Sequence, residues 1–501
     1  MKRYCLTLLV AIVTLATNAQ QWEIDCGDIA GYSVLRAGIV NDNGEAVIIG
    51  ECGPDANHYF PMVMRVTEDG EYDYRVFDTI GSNVRPSHIV QRENGTYFAS
   101  AVVQPNDYGV GDVVFMIFDS DLNLVSLKSY EKPEMVIGFR QGRLLLDKDG
   151  TVVFSCGYRY QDTYGERSKP CFYRFDMNAD TLSCRFVTAS LPHPEATMYE
   201  YDCDKLLRNP NGDGIVVLCT GLNNGCSLLM YDYDFHYENG FQLRPAFRQS
   251  FAYAYSDHWI SDNKLLIMGQ MWPYEEYNKW NIGMAEVCLN GTFDRWDRVY
   301  HKQDTAIQSS SDHCMAYVND TTIYGGSWFY EVLGGESHAS VCLYDTNMEL
   351  LGRKEFLEPE YGDSSGSYFV LPMPDGGCLT GITTLYYPNS AYRDGRLIKM
   401  RREDFNPIPC SVSEMQQEEI QAPAYPNPTK NILNIDISGL PADLKHRIQI
   451  TDISGRICMD RIIRGEGNVL NVGVSSLKPG IYVYTIYNTE KTIAENKFIK
   501  E

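Results

Sequence analysis

One unit recurs through most of this 501-residue chain, and the recurrence limits the fold more than any other feature. Each copy opens with a turn pair and an apolar run that ends at or near a small residue. A second apolar run follows and closes on an acidic turn. The first half reads NDNGEAVIIG, RENGTYFASA, DKDGTVVFSCG, NGDGIVVLCTG, SDNKLLIMG, VNDTTIYGG and PDGGCLTG. The second half reads PMVMRVTEDG, DVVFMIFDSD, CFYRFDMNAD, SLLMYDYDF, NIGMAEVCLNG, SVCLYDTN and RLIKMRRED. The turn positions Gly44, Gly95, Gly150, Gly214, Asn263, Asp320 and Gly376 are spaced by 51, 55, 64, 49, 57 and 56 residues. Four short strands and their turns fill roughly 40 to 50 residues in known propeller repeats. Asn-Gly and Asp-Gly supply the positive φ that two-residue hairpin turns need.

Composition agrees with strands: 35 Tyr, 41 Gly and 12% aromatic residues, with almost no long stretch of 3.6-residue periodicity. The expected fold is all-β, a seven-bladed β-propeller over residues 21–410 followed by a small immunoglobulin-like β-sandwich. A pair of stacked β-sandwiches would explain the strands of 21–410 but not seven matched units. The GH…WD signature of one propeller class is absent. The units resemble the degenerate propeller repeats of secreted bacterial proteins, which speaks to fold and not to activity.

The chain opens MKRYCLTLLVAIVTLATNAQ. Lys2 and Arg3 form a basic n-region, Leu6 to Ala16 an apolar core, and Thr17-Asn18-Ala19 small residues near a cut. Residues 1–20 therefore read as a secretory signal peptide, too short for a membrane span. No other stretch approaches 18 apolar residues, so no transmembrane segment is expected in the mature chain. Formal net charge is −23, and loss of Lys2 and Arg3 takes it to −25, which disfavours nucleic acid as a partner. Of 15 cysteines, all but Cys5 remain after the cut. They are scattered, mostly within apolar runs, and read as small buried hydrophobes. Cys156 and Cys171 fall on runs expected to be neighbouring strands, where a bridge would fit.

Between Cys410 and Pro423 the sequence is polar and without strand pattern, so 411–423 reads as a linker. Short alternating runs with turn chemistry then fill 424–501. Four signatures stand here in order: Pro426-Asn427-Pro428; Asp452, Gly455 and Arg456 in DISGR; Gly480 and Tyr482 in LKPGIY; and Lys497 in the closing KFIK. This tail resembles the C-terminal sorting domain (type A) of type IX secretion cargo from Bacteroidota. Glu501, beyond the closing lysine, is a small departure. The resemblance implies a route. The signal peptide delivers the chain to the periplasm, and the type IX translocon and sorting machinery recognise the tail. The tail is then removed, and the cargo is released or joined to the outer-membrane surface. Gly455 and Gly480 also read simply as turn residues.

Chemistry is harder to find. G-x-S-x-G, H-E-x-x-H, Walker A and G-x-G-x-x-G are missing in any fitting context, as are the C-x₂-C pairs of a structural zinc site. NPNGDG and DSDLN are oxygen-rich but lack the full spacing of a calcium loop, and read as hairpin turns. YSDHW places Asp257 and His258, and SSDHC places Asp312 and His313, just before the first-half turns at Asn263 and Asp320. His88 stands seven residues before Gly95. In a propeller such residues converge on the axis, where Asp and His would hold a divalent metal or act as base and orienting partner. The plainer reading is turn capping repeated because the units repeat. No metal or other cofactor is otherwise expected. GQMWPYEEYNKW carries Trp272 and Trp280, and GSWFYEVLGG carries Trp328 at the corresponding place one unit later. Such aromatics stack on sugar rings or partner side chains, or else pack between blades. The reading that follows is an exported binding or scaffold module for a glycan, peptide or protein. Its rival is a secreted hydrolase or lyase with its site on the propeller axis.

Overall fold

The computed structural model describes residues 21–501 apart from 30, 104–110, 131–132, 135, 141, 163–164, 188–200, 213, 223–224, 246–248, 274–280, 301–304, 310–312, 332–336, 357–363, 386–392, 408–421, 439–445, 453–456, 464–468 and 488–491. It divides into two compact units, Met1–Ile408 and Pro409–Glu501. Both are built from strands, with only three-residue 3-10 turns beside them among the described residues. The segments expected to be signal peptide and linker fall almost wholly outside the described residues.

In the first unit the strands Tyr32–Val40, Ala46–Asp55, His58–Val66 and Tyr72–Val76 pair antiparallel in chain order. Variants of this meander recur, so that the described residues of the unit form seven sheets, numbered here in chain order. Successive residues of a strand face opposite sides of its sheet. Ile48 thus packs with Leu371 and Leu379 of sheet seven, while Ile49 packs with Val84 and Ile89 of sheet two. Both faces are apolar contacts, which is why the second strands read as unbroken runs such as AVIIG rather than alternating ones. Each following pair of sheets shares a cluster of the same kind. The first strands of neighbouring sheets also touch one another in a closed cycle. The fourth strands are half solvated and alternate, as in Tyr72–Val76 and Leu124–Ser129.

Both ends of the unit are sewn into sheets. Glu23–Asp25 pairs with Arg393–Met400, placing Ile24 opposite Leu397 in sheet seven. Asn406–Pro407 returns to pair with Leu350–Phe356 of sheet six.

The two edges of the sheets differ. Connections between strands one and two, and between three and four, lie on one edge and are mostly tight. At Asn41–Glu45 the Asn41 N–H donates to Glu45 O at 2.8 Å and Gly44 N–H to Asn41 O at 2.9 Å. The loop is therefore three residues long, not the expected two, with Gly44 at φ 81° closing it. Gly95, Gly150 and Gly376 repeat this conformation. Gly214 is needed for another reason: a Cβ there would stand 2.1 Å from Tyr231 O. In the three-four turns the same left-handed position holds Leu122, Ala179, Phe235 and Met348, all buried. An Asp opens each of these four turns; Asp119 Oδ1, for instance, accepts from the N–H groups of Asp121 and Asn123 at 2.9 and 2.8 Å. The loop DSDLN is accordingly a hairpin turn. On the opposite edge the strand ends stand at uneven separations along the chain, as from Asp55 to His58, from Pro273 to Asn281 and from Leu385 to Arg393.

In the second unit, Ala424–Tyr425, Ile432–Asp436 and Val469–Gly473 form one sheet. Ile457–Ile463, His446–Asp452, Gly480–Tyr487 and Thr492–Lys500 form another. Leu433, Ile435 and Val472 from the first meet Ile448, Ile450, Tyr484 and Phe498 from the second in a single core.

Candidate functional site

The first strands bring polar side chains together where the seven sheets converge. His88 on Val84–Gln91 and His313, just before Met315–Asn319, have ring centroids 5.9 Å apart and planes 15° apart. They belong to sheets two and six, which are not neighbours, so their contact marks the centre of the cycle. The Leu144 N–H donates to His88 Nδ1 at 3.3 Å, which leaves the proton of the neutral ring on Nε2. His313 O accepts from the Val370 N–H of sheet seven at 2.6 Å. Arg143 of sheet three bridges its neighbours, donating from Nε to Asp204 O at 2.9 Å and from Nη1 to Ser87 O at 3.4 Å.

Two buried carboxylates that bond to side chains of the first strands or stand on one have opposite electrostatics. Glu51 is fully buried on the second strand of sheet one. It accepts from Arg36 at 2.5 Å, Arg85 at 3.2 Å and the Tyr32 hydroxyl at 2.9 Å. Burial alone would raise its pKa, but the Arg36 and Arg85 guanidinium groups outweigh burial and hold the carboxyl below its ordinary range. Each arginine also lies on an aromatic ring, Arg36 over Tyr368 at 5.4 Å and Arg85 over Tyr59 at 5.7 Å. Arg36 reaches inward because the register shifts between Leu35 and Ala37, one extra residue turning its side chain.

Asp204 sits at the matching shift between Cys203 and Lys205. Its Oδ2 accepts from the Thr220 hydroxyl at 2.8 Å and lies 3.7 Å from Cys226 Sγ. Burial is the largest influence on its carboxyl and outweighs the Thr220 hydroxyl and the Arg143 charge, so the pKa is pushed up to about 8. Burial therefore favours the neutral, protonated form of Asp204.

The residues singled out in the sequence distribute as follows. Asp257 and His258 stand opposite Ile267 and Leu266, close to the tight edge. The His258 ring lies on Tyr317, centroids 3.6 Å apart, and burial lowers its pKa. Tyr317 in turn donates to Asp320 at 2.6 Å. His313 is drawn to His88 instead. Asp312 and Trp280 lie outside the described residues, and Trp272 is described only as backbone opposite Ser250. Trp328 is half-buried, its ring 3.7 Å from where a Cβ on Gly366 would sit. Sequence reasoning passed over Arg36, Glu51, Arg85 and Asp204. A lone Glu inside the apolar run AVIIGECG was the available signal for Glu51.

The tail motifs have structural partners. Asn427, between cis peptide bonds at Tyr425-Pro426 and Asn427-Pro428, accepts from the Ile499 N–H at 2.8 Å and donates to Lys497 O at 3.4 Å. Thr429 N–H donates to Ile499 O at 2.8 Å. The Pro-Asn-Pro segment is thereby fastened to the last strand. Asp452 pairs with Tyr482, whose hydroxyl donates to Lys478 O at 2.9 Å and whose ring stacks on Phe498 at 5.6 Å. Gly480 pairs with Lys500, and Lys497 is exposed. Gly455 and Arg456 lie outside the described residues.

Residues 423–501 match the secretion system C-terminal sorting domain family. The chain is thus an exported cargo of type IX secretion, secreted or attached at the outer-membrane surface. No match was found among curated proteins. Among solved structures, the chain is similar to a fungal alcohol oxidase in complex with copper, at 10% identity over 96% of this chain and 99% of that one, TM-score 0.46. It is also similar to an ulvan lyase, a polysaccharide lyase, at 9% identity over 74% and 94% of the two chains, TM-score 0.45. A protein of unknown function from Dyadobacter fermentans aligns at 10% identity over 74% and 95%, TM-score 0.39. Likenesses this distant do not bear on the choice of activity.

Proposed function

We propose that residues 21–410 form a seven-bladed β-propeller displayed by type IX secretion as a binding module for a glycan, peptide or protein. Residues 1–20 act as the signal peptide, 411–423 as the linker, and 424–501 as an immunoglobulin-like sandwich that the translocon reads. Seven meander sheets joined by seven shared cores and by a cycle of first strands support the propeller. The observation that carries the binding reading is the contrast between edges. Tight turns, most of them capped, line one, while at the other the strands end at uneven separations along the chain, with Trp272 and Trp328 near two of those ends. Loops of that kind on a rigid scaffold are where ligands are taken.

Axial catalysis is the second reading, and one observation favours it: His88 and His313 meet, and Arg143 ties Ser87 O to Asp204 O, a residue whose carboxyl pKa burial raises. Against it, both oxygens of Glu51 already accept from protein donors. The exported chain should be screened on glycan and peptide arrays, with and without chelator, beside Trp328→Ala and His313→Ala variants. Binding that survives chelator and falls with Trp328→Ala supports the binding module. Ligand turnover abolished by His313→Ala would replace it with the enzyme.

A further inference from the structure

We propose that Cys156 and Cys171 close as a disulfide across sheet three in the exported chain. They stand directly opposite each other on the antiparallel strands Val152–Asp162 and Gly165–Phe175, with Sγ atoms 3.3 Å apart as thiols. Directly paired residues have Cα atoms about 4.5–5.5 Å apart, within the range of about 4.4–6.8 Å that disulfides span. Closing to the bond length of about 2.0 Å takes side-chain rotation and no change of register. Export carries the chain out of the reducing cytoplasm, so the pair meets an oxidising compartment. Opposed register does not suffice by itself. Cys203 and Cys219 also face each other, but Cys203 adjoins a register shift and its Sγ points to Lys205 O at 3.7 Å.

The chemistry is thiol–disulfide exchange with an oxidant of the disulfide class, protein or small molecule. One cysteine thiolate attacks the incoming disulfide, forming a mixed disulfide and releasing a thiolate. The second cysteine then attacks the first cysteine's sulfur and expels the other half. Two electrons pass to the oxidant, which ends as a dithiol holding the two protons. Both sulfurs are fully buried in the cluster shared with sheet two. The exchange therefore belongs before that cluster closes, while the hairpin is still exposed. Burial also raises the Cys156 pKa well above its ordinary value, which suppresses the thiolate once folding is complete.

The test is a peptide map of the full-length protein taken from the exported fraction, denatured in alkylating reagent without reductant. The expected result is a linked pair of peptides carrying Cys156 and Cys171, about 2 Da lighter than the sum of the two thiol forms. Cys203 and Cys219 should be alkylated in the same sample. A Cys156→Ser variant should expose Cys171 to alkylation, and the wild-type map decides the matter even if that variant does not fold. Alkylation of both cysteines in the unreduced wild type overturns the proposal, and so does a bridge from either one to a third cysteine.

Discussion

Replacing Asp204 with Asn tests whether the chain carries a neutral carboxylic acid. The pKa of Asp204 in the fold is about 8, against an ordinary value of 3.8. A group whose pKa is raised by folding contributes stability below the unfolded pKa and loses it as pH climbs through the folded one. Between about pH 4 and pH 8 unfolding releases one proton from this residue, so wild-type stability falls by about 1.4 kcal/mol per pH unit on its account. The groups that modulate the effect of burial are the Thr220 hydroxyl, Arg143 and the Ala254 N–H, which pull down, and Asp202, which pushes further up. Asn keeps an oxygen for the Thr220 hydroxyl and cannot ionise. The variant should therefore gain on the wild type as pH rises, by about 1 kcal/mol per unit between pH 5 and pH 8. Denaturant unfolding at four pH values, followed by near-UV circular dichroism, gives the difference directly. A difference that stays flat with pH would refute the reasoning, because Asp204 would then be ionised in the fold.

Other expectations follow from single contacts. Arg174 is 2% exposed, donates to Asp147 at 2.6 Å and lies 3.7 Å over the Tyr233 ring; Arg174→Ala removes that buried pair and its packing, leaves Asp147 with Arg208 at 3.5 Å, and should cost about 3 kcal/mol in denaturant unfolding. Phe235→Ala should cost about 3–5 kcal/mol by the same measurement, since its ring stacks on Phe172 at 5.3 Å between sheets three and four. Asn427→Ala removes the acceptor of the Ile499 N–H and should lower the tail's stability by about 1 kcal/mol, with less protein in the exported fraction; Lys497→Ala, exposed, should leave stability unchanged.

The repeat was legible because its turns obey local rules. Gly44, Gly95, Gly150 and Gly376 all take positive φ, as Asn-Gly and Asp-Gly pairs suggest, although the loops hold three residues. Phe235 and Met348 were not legible as left-handed residues. Their own preference opposes the conformation, and burial between sheets overrides it. His88 and His313 could be placed relative to their turns, but their meeting depends on sheets two and six facing across a closed cycle, which is a global property. Arg36 and Asp204 depend on register shifts, and a strand pattern of period two carries no sign of an extra residue. In the tail the reverse held: Pro426-Asn427-Pro428 was visible as a motif, and only the structure supplies its reason, the fastening of Asn427 to the last strand.

The most direct test of the binding module is the array screen of the exported chain with and without chelator. The account predicts a ligand retained in chelator and lost on Trp328→Ala, with the seven-sheet unit still folded. A folded sample that captures nothing, or one that turns its ligand over through His313, would contradict it.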